Sequence, residues 1–267
     1  MYKRQSYERA HNAVRGCEIV FHQAALPSVP RSIQDPLTSN ATNVIGTLNV
    51  LLVARDEGVR RVRLRVLVVG VRRQSTLPKQ EDMATLPISP YPTAKLAGEG
   101  YCRSFGVGYG LQTVALRYFN VFGARQDPTS QYAAVIPNFI TALLDNRPVT
   151  IFGDGGQSRD FTYVDNVVQA NLLAVDAPDV SGRVFNIAYG VKVTLNELVT
   201  ELQELIGTEV ETIYAPRRAG DVPHSLASLE RARAELGYEP EVDLREGLTR
   251  TIEYYREQRA ATALPTV

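Results

Sequence analysis

Apolar positions in the first half of the chain alternate between short continuous runs and longer stretches with helical spacing. Glu18-Ile19-Val20-Phe21-His22 is a short apolar run ending near the small pair Ala24-Ala25, the pattern of a buried parallel strand that leads into a loop. From about Pro36 to Glu57, Val44, Leu48, Leu51, Leu52 and Ala54 keep helical spacing, and Gly58 is placed to close the helix. Val62 to Val71 alternates as a strand, Tyr91 to about Phe105 reads as a helix, and Gln112 to Tyr118 as another strand. Strand, helix, strand, helix, strand predicts an α/β chain with a doubly wound parallel sheet.

The second half has a different texture. It predicts a helix around Ile136 to Leu144, a strand at Val149 to Phe152, a glycine-rich turn at Gly153 to Gly156, and a helix from about Asp165 to Val175. Thr194-Leu195-Asn196-Glu197 is a capping box, in which hydroxyl and carboxylate each satisfy a free backbone N–H of the first turn. Leu195, Leu198, Val199, Leu202, Leu205 and Ile206 then line one helix face, and Gly207 stops it. Shorter helices near Leu226 to Leu236 and Leu244 to Arg256 lead to a small, polar, frayed tail. The expected layout is a sheet domain with a smaller, interwoven C-terminal α/β part.

Composition narrows the partners. In 267 residues, 29 basic side chains balance 29 acidic ones, so no overall field exists to hold a nucleic acid or an anionic membrane surface. Cys17 and Cys102 form no C-x-x-C, and three histidines complete no set with metal-ligand spacing, so no metal site is expected and a cytoplasmic location is. No apolar run is read as reaching the roughly 18 residues of a membrane helix. One oddity stands out: only Lys3, Lys79, Lys95 and Lys192 are lysines, and the arginines crowd between Arg60 and Arg73.

Tyr91-Pro92-Thr93-Ala94-Lys95 carries the candidate chemistry. Residues i and i+4 share a helix face, so the ammonium can stand beside the phenol. A fixed cation favours phenolate and brings a group that normally titrates near 10 toward use as a general acid/base at neutral pH. Pro92 suits the first turn of a helix, where its missing N–H has no partner to lose. The plainer alternative is an exposed amphipathic helix with an incidental Tyr and Lys.

Six segments occur in order: Phe21-His22-Gln23-Ala24-Ala25, Leu26 to Ser32, Asn43-Val44-Ile45-Gly46-Thr47, Tyr91-x-x-x-Lys95, Leu116 to Gly123, and Ser158 to Val164. Together they resemble the extended short-chain dehydrogenase/reductase family, within it the NAD-dependent nucleotide-sugar epimerases, and most closely the UDP-N-acetylglucosamine/UDP-glucose 4-epimerase branch. The resemblance runs from about Ser6 to about Arg256. It implies a Rossmann-type sheet over residues 6–120 to which the helix near 165–175 returns, a UDP-sugar-binding part over 121–258, and a disordered tail at 259–267.

It also implies roles. Tyr91 and Lys95 would be catalytic and, with Gln23, Ala24, Ala25, Asn43 and Phe119, would lie against NAD. Small side chains at a strand end let a flat cofactor approach, although close packing would choose alanine too, and a mid-helix Asn43 could simply bond to a neighbouring loop. Asn120, Ala134, Val135, Thr150, Ile151, Phe152, Arg159, Arg218 and Asp221 match substrate contacts; a guanidinium forks onto phosphate oxygens as an ammonium cannot, although any one of these arginines alone would equally suit a surface ion pair. The implied reaction inverts carbon 4 of a UDP-hexose through a 4-keto sugar, in a homodimer, with UDP-glucuronate epimerase or decarboxylase chemistry and a non-catalytic nucleotide-sugar-binding remnant as the alternatives.

The sequence departs from the family twice. The family opens on a G-x-x-G-x-x-G turn that receives the NAD diphosphate, and no such turn precedes Phe21, so the first strands are expected to be missing and the chain as written to be inactive. The Ser-rich strand end that supplies a hydroxyl beside the catalytic tyrosine falls on Leu67-Val68-Val69, with Val71-Arg72 in place of Tyr-Gly. Arg63 and Arg65 would then point into a strand buried on both faces, unless it is an edge strand with its arginines in solvent. The segment Arg63 to Arg73 can be encoded so that reading one base later yields Val-Tyr-Ala-Ser-Ser-Ser-Ser-Ala-Tyr-Gly, which points to compensating frame errors before Arg63 and before Leu77.

Overall fold

The computed structural model describes residues 7–67, 76–128, 135–217 and 222–263. The chain begins with α1 (Tyr7–Val14), β1 (Ile19–His22), α2 (Val29–Gln34), α3 (Pro36–Asn40), a π-turn (Ala41–Ile45) and α4 (Gly46–Asp56). β2 (Arg61–Leu67), α5 (Pro90–Tyr109), β3 (Gln112–Tyr118), β4 (Val121–Phe122), α6 (Val135–Leu144) and β5 (Val149–Phe152) follow. Then come β6 (Ser158–Arg159), β7 (Thr162–Tyr163), α7 (Val164–Asp176), β8 (Arg183–Ile187), β9 (Val193–Thr194), α8 (Leu195–Ile206), β10 (Thr212–Ala215), α9 (Glu230–Leu236) and α10 (Leu244–Ala263).

The chain divides into two compact units. The first comprises residues up to Phe119 with Val168–Ile187 and Ser228–Glu239; the second comprises Asn120–Val167, Ala188–Ala227 and the residues from Pro240 onward. In the first unit a sheet of order β1-β2-β3-β8 is parallel throughout. Gly98 of α5 shows how closely that helix approaches: a Cβ there would stand 3.0 Å from Leu64 Cδ2, so only hydrogen fits without a shift. The opposite face of β2 meets α7, whose carbonyls receive arginines from the strand.

Several expectations change here. β8 was not anticipated, although it is the fourth strand of the sheet. β1, expected to be buried, lies at the edge of the described sheet, and Phe21 is 44% exposed because no strand lies on its free side among the described residues. β2 is not an edge strand: it lies between β1 and β3, and Arg61 and Arg63 are buried. Within the 21 residues of Pro36–Asp56 an 18-residue stretch has mean hydropathy 1.2, which by length and composition alone is apolar enough to cross a membrane. Thr42, Asn43 and Thr47 interrupt that apolar run in sequence, and inside the unit they are buried. α5 continues through Gly106 and Gly108 and ends at Gly110 with φ 68°. α10 carries the helix to Ala263, so 259–263 of the expected tail are helical, and 264–267 lie outside the described residues.

In the second unit β5 pairs in parallel with β10, β4 in parallel with β7, and β6 antiparallel with β9. Its core gathers Ile136, Phe139, Ile140 and Leu143 of α6, Val149 and Ile151 of β5, Leu198 and Leu202 of α8, and Leu248 and Ile252 of α10. The capping box forms in both directions: the Thr194 hydroxyl accepts from the Glu197 N–H, and the Thr194 N–H donates to the Glu197 carboxylate.

Candidate active site

In the first unit Tyr91 and Lys95 lie on the first turns of α5, both buried. The Tyr91 N–H is one of the free donors of a helix start, and it donates to Ser32 Oγ at 3.1 Å. Ser32 Oγ in turn donates to the Val29 carbonyl at 2.7 Å, so α2 holds the tyrosine's end of the helix. Lys95 Nζ stands 5.9 Å from the Tyr91 ring centroid and donates to the Arg65 carbonyl at 3.4 Å.

The electrostatics differ from the sequence argument. Burial pushes the Tyr91 phenol above its ordinary value, opposed only in part by the charge of Arg65. Burial, then the like charge of Arg65, lowers Lys95 to about 8. The expected depression of the phenol is therefore overturned, because desolvation of a buried phenolate outweighs the neighbouring cation.

The other first-unit candidates cluster at the ends of β1 and β3. Gln23 Nε2 donates to Tyr118 Oη and Asn171 Oδ1, each at 3.1 Å, so its amide is fixed. Ala24 and Ala25 follow, half-buried. Asn43, inside the π-turn, accepts from the Leu26 N–H at 2.8 Å and donates to the Leu26 carbonyl at 3.0 Å. It thus clamps the loop that leaves Ala24-Ala25, the loop-bonding alternative raised above. Phe119 is buried at 1% exposure, and its N–H donates to the Ile187 carbonyl at 3.0 Å.

A buried ion pair that sequence reasoning missed stands one turn beyond Lys95. Arg117 of β3 forks onto Glu99 of α5, Nε to Oε1 at 2.7 Å and Nη2 to Oε2 at 2.8 Å. Arg117 Nη1 also donates to the Glu81 carbonyl at 3.2 Å, and Glu81 Oε1 accepts from the Asn186 N–H at 2.8 Å. The network joins α5, β3, β8 and the segment before α5; its only sequence signal was a charged residue in an otherwise apolar strand.

The second unit carries the substrate candidates. Asn120 has φ 27°, and its carbonyl accepts from the Thr162 N–H at 3.3 Å. Val135 opens α6; on β5, Thr150 is exposed, Ile151 buried and Phe152 half-buried. Arg159 on β6 is half-buried and donates from Nη1 to the carbonyls of Ser158 at 2.8 Å and Pro223 at 3.3 Å. Ala134, Arg218 and Asp221 lie outside the described residues, as do Val68, Val69, Val71 and Arg72. Among the described residues no group of three or more His, Cys, Asp or Glu side chains is placed to hold a metal ion.

Comparison with known proteins places this arrangement. The model of the NAD dependent epimerase/dehydratase family matches residues 2–188. UDP-glucose 4-epimerase of Mycolicibacterium smegmatis is 38% identical over 244 residues, covering 90% of this chain and 77% of that protein. The crystal structure of a UDP-glucose 4-epimerase from Thermotoga maritima with UDP-glucose superimposes with a TM-score of 0.91 at 38% identity, over 96% of this chain and 84% of that one. A UDP-N-acetylglucosamine 4-epimerase from Methanobrevibacter ruminantium gives 0.89 at 36% identity, over 93% and 80%. The chain belongs to the NAD-dependent epimerase/dehydratase family, and its parallel sheet with flanking helices is of the Rossmann type. Relatives within the family include UDP-sugar 4-epimerases and a dTDP-glucose 4,6-dehydratase of Streptomyces griseus, 33% identical over 248 residues.

Proposed function

We propose that the chain is a UDP-hexose 4-epimerase in type, acting on UDP-glucose/UDP-galactose or on the N-acetylated pair. The observation that carries this reading is the Tyr91–Lys95 pair on the first turns of α5, beside the end of β2, in a chain that matches such enzymes over nearly its whole length. Tyr91 exchanges the proton of the sugar 4-hydroxyl. Burial alone raises its phenol, so accepting that proton needs the phenolate form, which neighbouring positive charge favours; the phenol so formed then gives the proton back when the sugar has turned. Lys95 keeps a positive charge at the ring and limits the cost of the transient phenolate.

Bound NAD would supply a reversible hydride acceptor for carbon 4 of the sugar. The residues present fit its nicotinamide-ribose side: Ala24 and Ala25 are small and half-buried beyond the strand end, Asn43 fixes the loop after them, and Tyr91 and Lys95 occupy the neighbouring helix. Phe119, whose side chain is buried, is assigned to the same side. In the second unit Asn120, Val135, Thr150, Ile151, Phe152 and Arg159, with Ala134, Arg218 and Asp221, are assigned to the UDP-sugar. A cytoplasmic homodimer belongs to the same reading, with sedimentation as the check on its state of association.

The test is interconversion at carbon 4, followed by NMR with NAD supplied, of UDP-glucose, UDP-N-acetylglucosamine and UDP-glucuronate. Conversion of either of the first two supports the reading, conversion of UDP-glucuronate alone moves it to that sugar, and UDP binding without any conversion leaves a nucleotide-sugar-binding protein.

A further inference from the structure

Asp160 is fully buried, yet among the described residues its carboxylate is met by backbone rather than by a cation. Oδ1 accepts from the N–H groups of Tyr189 at 3.1 Å and Gly190 at 3.0 Å; Oδ2 accepts from Gly190 at 3.2 Å and Ala227 at 3.1 Å. Gly190 has φ 85°, and a left-handed residue turns successive N–H groups toward one point, making a small anion-binding nest. Here the nest holds a side chain of the protein itself. Burying a carboxylate is costly, and burial indeed raises Asp160 to about 6 despite these donors. An apolar residue would fill the space at lower cost, so the arrangement calls for another reason.

The reason lies in the neighbouring residue. Ser158 and Arg159 of β6 are flanked on one side by β9, with Arg159 opposite Val193. On the other side the Ser158 N–H donates to the Pro223 carbonyl at 2.9 Å, its carbonyl accepts from Ser225 at 3.0 Å, and its hydroxyl meets His224 Nδ1 at 2.8 Å. The Asp160 carboxylate is bonded to both flanks, through the turn at 189–190 that leads into β9 and through Ala227 at the end of the 222–227 segment. One side chain therefore ties together the two segments that flank Arg159, whose guanidinium rests on the carbonyls of Ser158 and Pro223.

Resting on the UDP-sugar reading above, we infer that Asp160 is a positioning residue for the nucleotide diphosphate, acting through Arg159 and the 222–227 segment without touching the ligand. The test is calorimetric titration of the whole chain with UDP and with uridine at pH 7.5, for the native chain, Asp160→Asn and Gly190→Ala. The amide keeps the shape of the carboxylate but sets N–H against N–H; Gly190→Ala disturbs the nest while leaving Asp160 in place.

The expected result is about a tenfold weaker UDP affinity in Asp160→Asn and a smaller loss in Gly190→Ala, with uridine affinity within about twofold of native. A merely structural role would weaken both ligands alike. Equal losses for UDP and uridine, or UDP affinity unchanged in both variants, would overturn the inference. If Asp160→Asn does not fold, Gly190→Ala decides by the same comparison. A native chain that binds neither ligand overturns the UDP-sugar reading itself, and the inference falls with it.

Discussion

The Arg63 guanidinium donates from Nε to the Asn171 carbonyl of α7 at 2.9 Å, while its two terminal nitrogens, wholly buried, have no hydrogen-bond partner among the described residues. Its neighbour on the same face, Arg61, fares better: Nη1 reaches the Ala174 and Ala177 carbonyls at 3.1 and 2.7 Å, where the end of a helix welcomes a cation. Arg63 is desolvated enough to be lowered to about 9, with the like charge of Arg61 adding to the effect. A middle strand of a parallel sheet is the least favourable place for such a group.

Arg63→Val should therefore stabilise the chain, by about 1 to 4 kcal/mol, the range seen when buried charges give way to apolar residues. Urea unfolding checks it. A lower midpoint in the variant would show that the unpaired nitrogens are not a liability.

The same strain bears on the frame proposal. Any arginine codon read one base later begins with G and encodes Val, Ala, Gly, Asp or Glu, so a shifted frame removes both Arg63 and Arg65 whatever the codons. Sequencing the genomic DNA across Val62 to Leu77 decides: the account expects a shifted frame that reads through serines, and an uninterrupted native frame over this segment would contradict it.

Breaking the Glu99–Arg117 pair leaves one buried charge uncompensated. Glu99→Gln should cost about 3 to 5 kcal/mol in unfolding free energy, and because Arg117 also holds the Glu81 carbonyl, the segment before α5 should lose amide-exchange protection with it. A loss below about 1 kcal/mol would mean that the pair is solvated.

Asp160 gives a pH signature. Its carboxyl is raised from 3.8 to about 6 by burial, so between those values the folded chain holds more protons than the unfolded one. Stability from this group is present below about pH 4 and lost as pH rises through 6, a change of about 3 kcal/mol. Carboxylates lowered by partners, such as Asp145 beside Arg147 and Arg259, act in the opposite direction. The informative quantity is thus the difference between native chain and Asp160→Asn, which should shift in the variant's favour from pH 4 to 6.5; a flat difference would contradict it.

Local chemistry made some of this legible from sequence. The Tyr91–Lys95 spacing, the Thr194–Glu197 capping box and the Gly207 stop depend on residues within a turn or two of each other, and they form as read. What escaped depends on distant partners. Arg183-Val184-Phe185-Asn186-Ile187 becomes a strand because β3 pairs with it, and its polar residues hid the pattern. Asp160 looks like an ordinary surface acid until the N–H groups of residues 189, 190 and 227 close around it. The direction of the Tyr91 shift was misread for a related reason: Lys95 is near in sequence, whereas the burial that raises the phenol comes from the whole unit and outweighs the lowering by Arg65.

The central claim is that Tyr91 of this family member exchanges the proton of a UDP-hexose 4-hydroxyl. The most direct measurement is the rate of carbon-4 interconversion by the protein with residues 63–73 in the shifted frame, against the same protein carrying Tyr91→Phe. The account predicts measurable interconversion of a UDP-hexose and a loss of roughly 10²-fold or more in the variant, with UDP affinity unchanged. Equal rates in the two proteins, or no conversion of any UDP-hexose by either, would contradict it.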